Sequence, residues 1–190
     1  MTREIYFITG NNKKFNEVKS NLVWDIELIQ YDLDTPEIQT TSLEEISKDK
    51  ALKAFAELKK PLIVDDSGTF FDHYHEFPGA MAKHMFKSLW FEWFKNLLAE
   101  ESSSNAGRMA TVITYMDETL SEPIQFRWDV EGEFSFGFLD EFEADFVMPY
   151  NHIFIPKWWS SPVQSDYEKF IKDSQRARAV KKLNEFLNKN

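Results

Sequence analysis

Leu62-Ile63-Val64-Asp65-Asp66-Ser67-Gly68 places three apolar residues directly before two adjacent carboxylates, a hydroxyl and a glycine. The apolar run is typical of a short buried strand, and the Ser-Gly pair predicts that the strand ends at the two aspartates. Side chains that carry chemistry collect at the carboxyl ends of strands in α/β sheets. Adjacent carboxylates need a proton or a cation between them, and Mg²⁺ suits their oxygens. A solvated Asp-Asp-Ser-Gly turn is the alternative.

The start of the chain predicts a strand, a turn and a helix. Glu4 to Thr9 is apolar on both faces, Gly10-Asn11-Asn12 forms the turn, and Lys14 falls in the first turn of the helix. A cation there opposes the helix dipole unless an anion binds nearby. Free N–H groups at a helix start bind phosphate, so Thr9, Asn11 and Lys14 are candidate phosphate ligands. An ordinary capped helix with exposed lysines is the alternative.

Later helices also carry cations at notable positions. Ser42-Leu43-Glu44-Glu45 fits a capping box, so we expect a helix that runs to about Leu58. Lys50 lies beside the apolar stripe of that helix, where it either snorkels to solvent or points into a cleft. Lys83 and Arg176 fall in the first turns of two further predicted helices, at the end that favours anions.

The remaining periodicity predicts an antiparallel region followed by a terminal helix. Strands are expected at Met109–Met116, Ile124–Val130, Phe134–Phe138 and Ile153–Ile155, and helices are expected at Met81–Ala99 and after the capping residues Ser165 and Ser174. Trp158 and Trp159 are expected in the core, and an exposed aromatic contact is the alternative. His73 and His75 are interpreted as loop residues rather than metal ligands.

Composition restricts the class of protein. A length of 190 residues predicts one domain, residues 1–190. The absence of cysteine excludes disulfides and thiol nucleophiles. Without a secretory signal or a membrane-spanning segment, we expect a cytoplasmic protein with no membrane partner.

The net charge of −10 is concentrated in one stretch. Asp117 to Asp145 holds ten acidic residues and one basic residue, so the rest of the chain is near neutral and can accept an anionic ligand. The stretch is either a solvated face or a surface for a basic partner. No basic patch predicts nucleic-acid binding.

The motifs, taken in order, resemble those of the inosine triphosphate pyrophosphatases, which cleave purine nucleoside triphosphates with non-standard bases to the monophosphate and pyrophosphate. Thr9 to Glu17 is similar to the family's Thr-x-Asn-x-x-Lys-x-x-Glu, and Val64 to Gly68 is similar to its catalytic carboxylate motif. The resemblance implies that Asp66, aided by Asp65, is the general base. It also implies that Glu37 and Asp66 bind Mg²⁺.

The resemblance assigns substrate contacts to both halves of the chain. It implies that the polyphosphate is held by Thr9, Asn11, Lys14, Lys50, Ser67, Lys83 and Arg176. In the second half, Met148, Asn151 and Gln175 replace the Phe, Asp and His of the family's base-binding motifs. Tyr150, Asn151 and Gln175 are expected to face the base, and the replacements favour a related base or a relaxed choice.

The resemblance also implies an α/β fold with a long mixed central sheet flanked by helices. It implies two lobes with an active-site cleft between them, and a homodimer. Three alternatives stay open: a nucleotide-binding protein on the same fold without turnover, a hydrolase of another modified triphosphate, and an acidic interaction module.

Overall fold

Seven strands form one mixed sheet in the computed structural model, which describes residues 3–23, 25–97, 105–135 and 148–189. The strands are β1 (Arg3–Ile8), β2 (Ile26–Tyr31), β3 (Leu62–Phe71), β4 (Pro78–Gly79), β5 (Ala106–Met116), β6 (Ile124–Phe134) and β7 (Phe154–Pro156). Their hydrogen-bonded order is β2-β1-β3-β5-β6-β7, with β4 beside β3. β2, β1 and β3 are parallel, and the other pairings are antiparallel. The predicted long mixed sheet is confirmed.

Helices cover both faces of this sheet. They are α1 (Asn12–Asn21), α2 (Leu43–Leu58), α3 (Ala82–Leu97), α4 (Tyr167–Phe170) and α5 (Gln175–Leu187). α1 and α5 bury Val18 and Leu183 against Phe7 and Ile63 on one face. α2 packs its alanines against Val64 and its neighbours on the other face. No helix among the described residues is both long enough and apolar enough to cross a bilayer.

The strand that carries the two aspartates does not end at them, so that prediction was wrong. β1 pairs with β3 only as far as Val64, but β5 continues alongside β3 to Phe71. The antiparallel partner satisfies the backbone groups that a turn would otherwise need to satisfy. Because successive side chains of a strand point to opposite faces, Asp65 and Asp66 lie on opposite faces of the sheet.

Gly68 has a packing role rather than a turn role. A Cβ atom at this position would lie 2.9 Å from the carbonyl oxygen of Gly79 in β4 and 2.8 Å from the ring of Phe70. The close approach of β4 therefore requires a glycine in the middle of β3.

Several predicted boundaries need correction. β6 runs unbroken to Phe134, so the strands predicted at Ile124–Val130 and from Phe134 are one strand, and residues 136–138 lie outside the described residues. α3 leaves helical geometry at Trp90, where φ is +55°, and residues 98–99 of the predicted helix are likewise outside the described ranges. Asp166, rather than Ser165, caps the short α4.

The tryptophan pair divides between core and surface. Trp159 packs against the core, as expected, but Trp158 is 46% exposed, so its predicted burial was wrong. The guanidinium carbon of Arg178 lies 4.9 Å from the centroid of the Trp158 ring. This cation–π contact makes the exposed position favourable.

Candidate active site

An opening beside β3 brings the predicted residues together. β1 stops pairing with β3 at Val64, and β4 begins to pair with it at Thr69, so that edge of β3 is uncovered from Asp65 to Gly68. The start of α1 approaches one face of the opening, and the middle of α2 approaches the other. The local sequence favours this arrangement, because the side chain of Asn11 caps α1 by accepting the N–H groups of Lys13 and Lys14.

Asp65 is the centre of a buried ion network on the α1 and α5 face. Lys14 Nζ lies 2.5 Å from its Oδ1, and Arg176 Nε donates to its Oδ2 at 2.7 Å. The side chains of Asp65 and Arg176 are only 1% and 3% exposed. Arg176 was expected to hold phosphate directly, but its guanidinium is enclosed by protein groups. Its position indicates that it orients Asp65 rather than contacting a ligand from solvent.

Glu17 completes this network and was not among the predicted site residues. Its Oε2 lies 2.5 Å from Arg176 Nη1, and Ser174 donates its hydroxyl to Oε1. The same Ser174 oxygen accepts the N–H of Ala177 and so caps α5. The signal for Glu17 was present in the sequence, because a residue three positions after Lys14 lies on the same helix face. Its partner, Arg176, could not be predicted from a local pattern, because it lies 159 residues away along the chain.

The charges of the network shift the pKa values of Asp65 and Arg176. Burial alone would raise the pKa of Asp65, but the adjacent Arg176 and Lys14 outweigh burial and hold that pKa well below its usual range. Burial opposes the charge of Arg176 as well, yet Asp65 and Glu17 raise its pKa further. Asp65 is therefore ionised at neutral pH and held by its cationic partners, and its burial among them does not support the predicted role as a second catalytic carboxylate.

This depressed pKa predicts a specific loss of stability in acid. A carboxylate with a lowered pKa in the folded protein stabilises it above the ordinary pKa, and this stabilisation is lost as the pH falls below that value. We expect the free energy of unfolding to decline from about pH 5 to about pH 1. Asp65→Asn should be less stable at neutral pH and should show a flatter decline, measured by urea unfolding at a series of pH values.

Asp173→Asn is the matched control. Asp173 also has a lowered pKa beside Arg178, but its side chain is 61% exposed and solvent screens the pair. Its removal should leave the acid decline almost unchanged. An Asp65→Asn slope as steep as that of the parent protein would contradict the proposed ionisation.

Asp66 occupies a different environment on the α2 face. Its Oδ1 accepts the backbone N–H of Ser67 at 3.1 Å, but its buried Oδ2 has no hydrogen-bond partner among the described residues. Lys50 of α2 lies close enough for its charge to act on Asp66. Lys50 Nζ also lies 2.5 Å from Oε1 of Glu37, in the loop before α2. Lys53 donates to the carbonyl of Pro36 and fixes this loop against α2.

The pKa values of the two adjacent aspartates are shifted in opposite directions. Burial raises the pKa of Asp66, and the charges of Asp65 and Glu37 raise it further, while Lys50 and Lys14 only partly compensate. For Glu37, burial is outweighed by the hydrogen bond and charge of Lys50, so its pKa is lowered. A carboxylate with a raised pKa is a stronger base than an ordinary aspartate, which suits Asp66 to accept a proton.

The donor set of this face fits a hard divalent cation. Glu37 and Asp66 offer carboxylate oxygens, and the partnerless Oδ2 of Asp66 is the kind of atom that a cation satisfies. Within the described ranges, no three His, Cys, Asp or Glu side chains form a ready-made metal cluster. Mg²⁺ commonly takes one or two carboxylates and fills its other positions with water and ligand phosphates. The site therefore suits Mg²⁺ that arrives with a phosphate ligand.

Other predicted phosphate ligands surround the same opening. Ser67 Oγ accepts from Arg176 at 3.0 Å and contacts Thr111 at 3.0 Å, so it belongs to the Asp65 network. Thr9 Oγ1 accepts the N–H of Asn11, and both side chains shape the turn before α1. Lys83 is exposed at the start of α3, and its charge acts on Glu37. The structure thus places Lys83 on the Glu37 side of the opening.

The residues predicted to face the base are buried. Tyr150 packs in the core and donates its hydroxyl to the carbonyl of Ala82 at 2.9 Å, which holds the start of α3. Asn151 is 3% exposed. Gln175 is 4% exposed, and its Oε1 is buried without a hydrogen-bond partner among the described residues. Gln175 therefore offers a free acceptor next to Arg176, whereas the hydroxyl of Tyr150 has a structural partner.

Comparison with known proteins gives matches over nearly the whole chain. A family model described as the Ham1 family matches residues 5–186. The dITP/XTP pyrophosphatase of Methanopyrus kandleri is 31% identical over 189 residues, which cover 98% of this chain and 97% of that protein. The inosine triphosphate pyrophosphatase of Phaeosphaeria nodorum is 31% identical over 181 residues, which cover 95% and 92% of the two chains.

The fold is shared as well. The solved structure of the Ham1 protein of Staphylococcus aureus matches with a TM-score of 0.81 at 24% sequence identity, and the match covers 98% of this chain and 99% of that one. The match therefore spans α1, β3 and α5, which carry the ion network, as well as α2.

Proposed function

Because the chain belongs to the Ham1 family, we propose that it is a nucleoside triphosphate pyrophosphatase that uses Mg²⁺. Its substrates are purine nucleoside triphosphates with non-standard bases, such as ITP, dITP or XTP. The products are the nucleoside monophosphate and pyrophosphate. The names of the relatives support this substrate class, and the resemblance of the motifs in the first half of the chain supports the same reaction.

The observation that carries the proposal is the environment of Asp66. This carboxylate is buried, has a raised pKa and keeps one oxygen without a protein partner. The charges of Lys50 and Lys14 both act on it. A base between cations is the arrangement that attack on a negatively charged phosphate requires.

Each side chain of the site has a separate role in the proposed reaction. Asp66 orients a water molecule and accepts its proton as the water oxygen bonds to the α-phosphorus. The bond from the α-phosphorus to the bridging oxygen then breaks, and pyrophosphate leaves with the bonding electrons. Lys14, Lys50 and Lys83 offset the charge that develops on the phosphate oxygens. Catalysis of this kind depends mainly on positioning and charge neutralisation.

Glu37 and Asp66 would hold the magnesium ion. When bound, Mg²⁺ supplies charge neutralisation and polarises the phosphate oxygens. Asp65, Arg176 and Glu17 do not contact the metal in this scheme. They fix Lys14 and the start of α1 through the buried ion network, so that the phosphate ligands are in place before substrate binds.

Gln175 supports a preference for one class of base. Its Oε1 has no partner among the described residues and can accept an N–H donor. Hypoxanthine and xanthine carry a hydrogen on N1, whereas adenine does not. We therefore propose that Gln175 favours the former bases over adenine. Contacts of Asn151 and the Tyr150 ring with the base remain predictions.

A substrate panel tests the proposed activity. ITP, dITP, XTP, dATP, ATP and GTP are incubated with the protein and Mg²⁺, and monophosphate and pyrophosphate are quantified. We expect ITP, dITP or XTP to be cleaved fastest, with loss of activity when EDTA removes the metal. Binding of these nucleotides without any pyrophosphate release would instead support a nucleotide-binding protein without turnover.

Lys14→Ala tests the phosphate contacts. A charge-assisted hydrogen bond contributes about 1.5–3 kcal/mol, so we expect KM for ITP to rise about tenfold or more, with a smaller effect on kcat. Initial rates of pyrophosphate release give both constants. Lys19→Ala, an exposed lysine in the last turn of the same helix, should behave as the parent protein. An unchanged KM for Lys14→Ala would exclude α1 as the phosphate site.

The quaternary structure and location also remain predictions. We propose that the protein is a homodimer in the cytoplasm. Light scattering of the purified protein measures its mass, and a species of twice the chain mass of 22.5 kDa is the expected result.

A further inference from the structure

Lys50 forms an ion pair with one proposed metal ligand, and its charge acts on the other. Its Nζ lies 2.5 Å from Oε1 of Glu37, and its charge acts on Asp66 from the same side. The lysine side chain is only 17% exposed, whereas that of Glu37 is 49% exposed. One ammonium group thus pairs with Glu37 and also partly offsets the charge of Asp66, and these are the two carboxylates that would hold a divalent cation.

Lys14 also forms an ion pair with a carboxylate, but its partner is not accessible to a cation from solvent. Lys14 binds Asp65, but the second oxygen of Asp65 accepts from Arg176, and the carboxylate is fully buried. Asp65 therefore has no oxygen available to a cation from solvent. Glu37 is accessible, and Asp66 keeps a buried oxygen without a partner among the described residues. The Lys50–Glu37 pair, unlike the Lys14–Asp65 pair, therefore has an accessible carboxylate that can exchange one cation for another.

We propose that Lys50 is an exchangeable cation, which pairs with Glu37 in the metal-free protein and gives this carboxylate up to the divalent metal that Glu37 and Asp66 would hold. The released ammonium then turns to the triphosphate. The proposal rests on the proposed function for the identity of metal and substrate. It makes the Lys50–Glu37 ion pair a direct competitor of the metal, because both cations need the same carboxylate oxygens.

Competition of this kind couples metal and substrate binding. Without nucleotide, the metal must break the Lys50–Glu37 pair and leave a mostly buried ammonium without an anion, which is unfavourable. With nucleotide, a phosphate oxygen replaces the lost carboxylate. The metal and the triphosphate therefore strengthen each other's binding, and such coupling is reciprocal.

The decisive measurement is metal binding without nucleotide. Mn²⁺, an ion of similar ligand preference, is titrated into the full-length protein, and free Mn²⁺ is followed by electron paramagnetic resonance. Lys50→Gln removes the competing charge, and we expect Mn²⁺ to bind about tenfold more tightly. Lys50→Arg retains the charge and should bind Mn²⁺ as weakly as the parent protein.

Lys48→Gln is the matched control on the same helix. Lys48 pairs with Glu122 and is 46% exposed, so its removal should leave Mn²⁺ affinity unchanged. Unchanged or weaker Mn²⁺ binding by Lys50→Gln would overturn the proposal. Its failure is distinguishable from failure of the proposed function: an active parent protein with an unaffected Lys50→Gln variant refutes the exchange alone. An inactive parent protein whose Lys50→Gln variant binds Mn²⁺ more tightly refutes the activity alone.

Discussion

Asp66→Asn is expected to lower the rate of pyrophosphate release by at least about a hundredfold while the protein stays folded. A positioned general base contributes about 10²–10⁴-fold to a rate, and asparagine cannot accept the proton. The variant would also lose one of the two proposed metal ligands, which adds to the expected defect. Initial rates of ITP cleavage under saturating Mg²⁺ measure the effect.

The stability of this variant distinguishes a catalytic group from a structural one. Burial raises the pKa of Asp66, so keeping this carboxylate ionised costs the folded protein stability relative to the unfolded chain. A neutral asparagine removes this cost, so the free energy of unfolding should stay equal or rise. Asp25→Asn, at an exposed position before β2, should retain full activity. Near-normal turnover by Asp66→Asn would refute the assigned base.

Arg176→Ala is expected to destabilise the fold by about 3–5 kcal/mol, since removal of one partner leaves buried charges uncompensated. Asp65 and Glu17 would both lose their guanidinium partner in a region that water does not reach. Urea unfolding measures the change. Turnover should fall as well. Without Arg176, Asp65 would no longer be held in place, and Asp65 positions Lys14.

Arg178→Ala provides the comparison two residues along the same helix. Its ion pair with Asp173 is exposed, and exposed pairs contribute about 0–1 kcal/mol. The contacts of Arg178 with Trp128 and Trp158 add little at the surface. Equal losses of stability in the two variants would contradict the assignment of Arg176 to a buried network.

Much of the site could be predicted because its motifs place charges where they are unfavourable unless an ion binds. Lys14 opposes the dipole of its helix, and the apolar residues of β3 lead into two carboxylates, so both stretches suggested a bound ion. The capping signals at Ser42 and Ser174 depend only on neighbouring residues, and both caps are present. Local chemistry of this kind is readable from a single sequence.

The placement of Asp65 and Asp66 on opposite faces of the sheet could not be predicted. It depends on β3 continuing beyond them, and this depends on β5, whose Val112 lies opposite Asp66. The Ser67-Gly68 pair resembles a turn, but Gly68 is there because β4 approaches closely. Arg176 was likewise predicted to bind phosphate directly, but Asp65 and Glu17 enclose its guanidinium. Contacts over such sequence distances leave no local pattern.

Hydrolysis of ITP in ¹⁸O-labelled water tests the central claim most directly. The account requires water activated by Asp66 to attack the α-phosphorus, so mass spectrometry should find one ¹⁸O atom in the inosine monophosphate and none in the pyrophosphate. Label in the pyrophosphate, release of orthophosphate as the first product, or no turnover with Mg²⁺ would contradict the assignment of the Asp66 site.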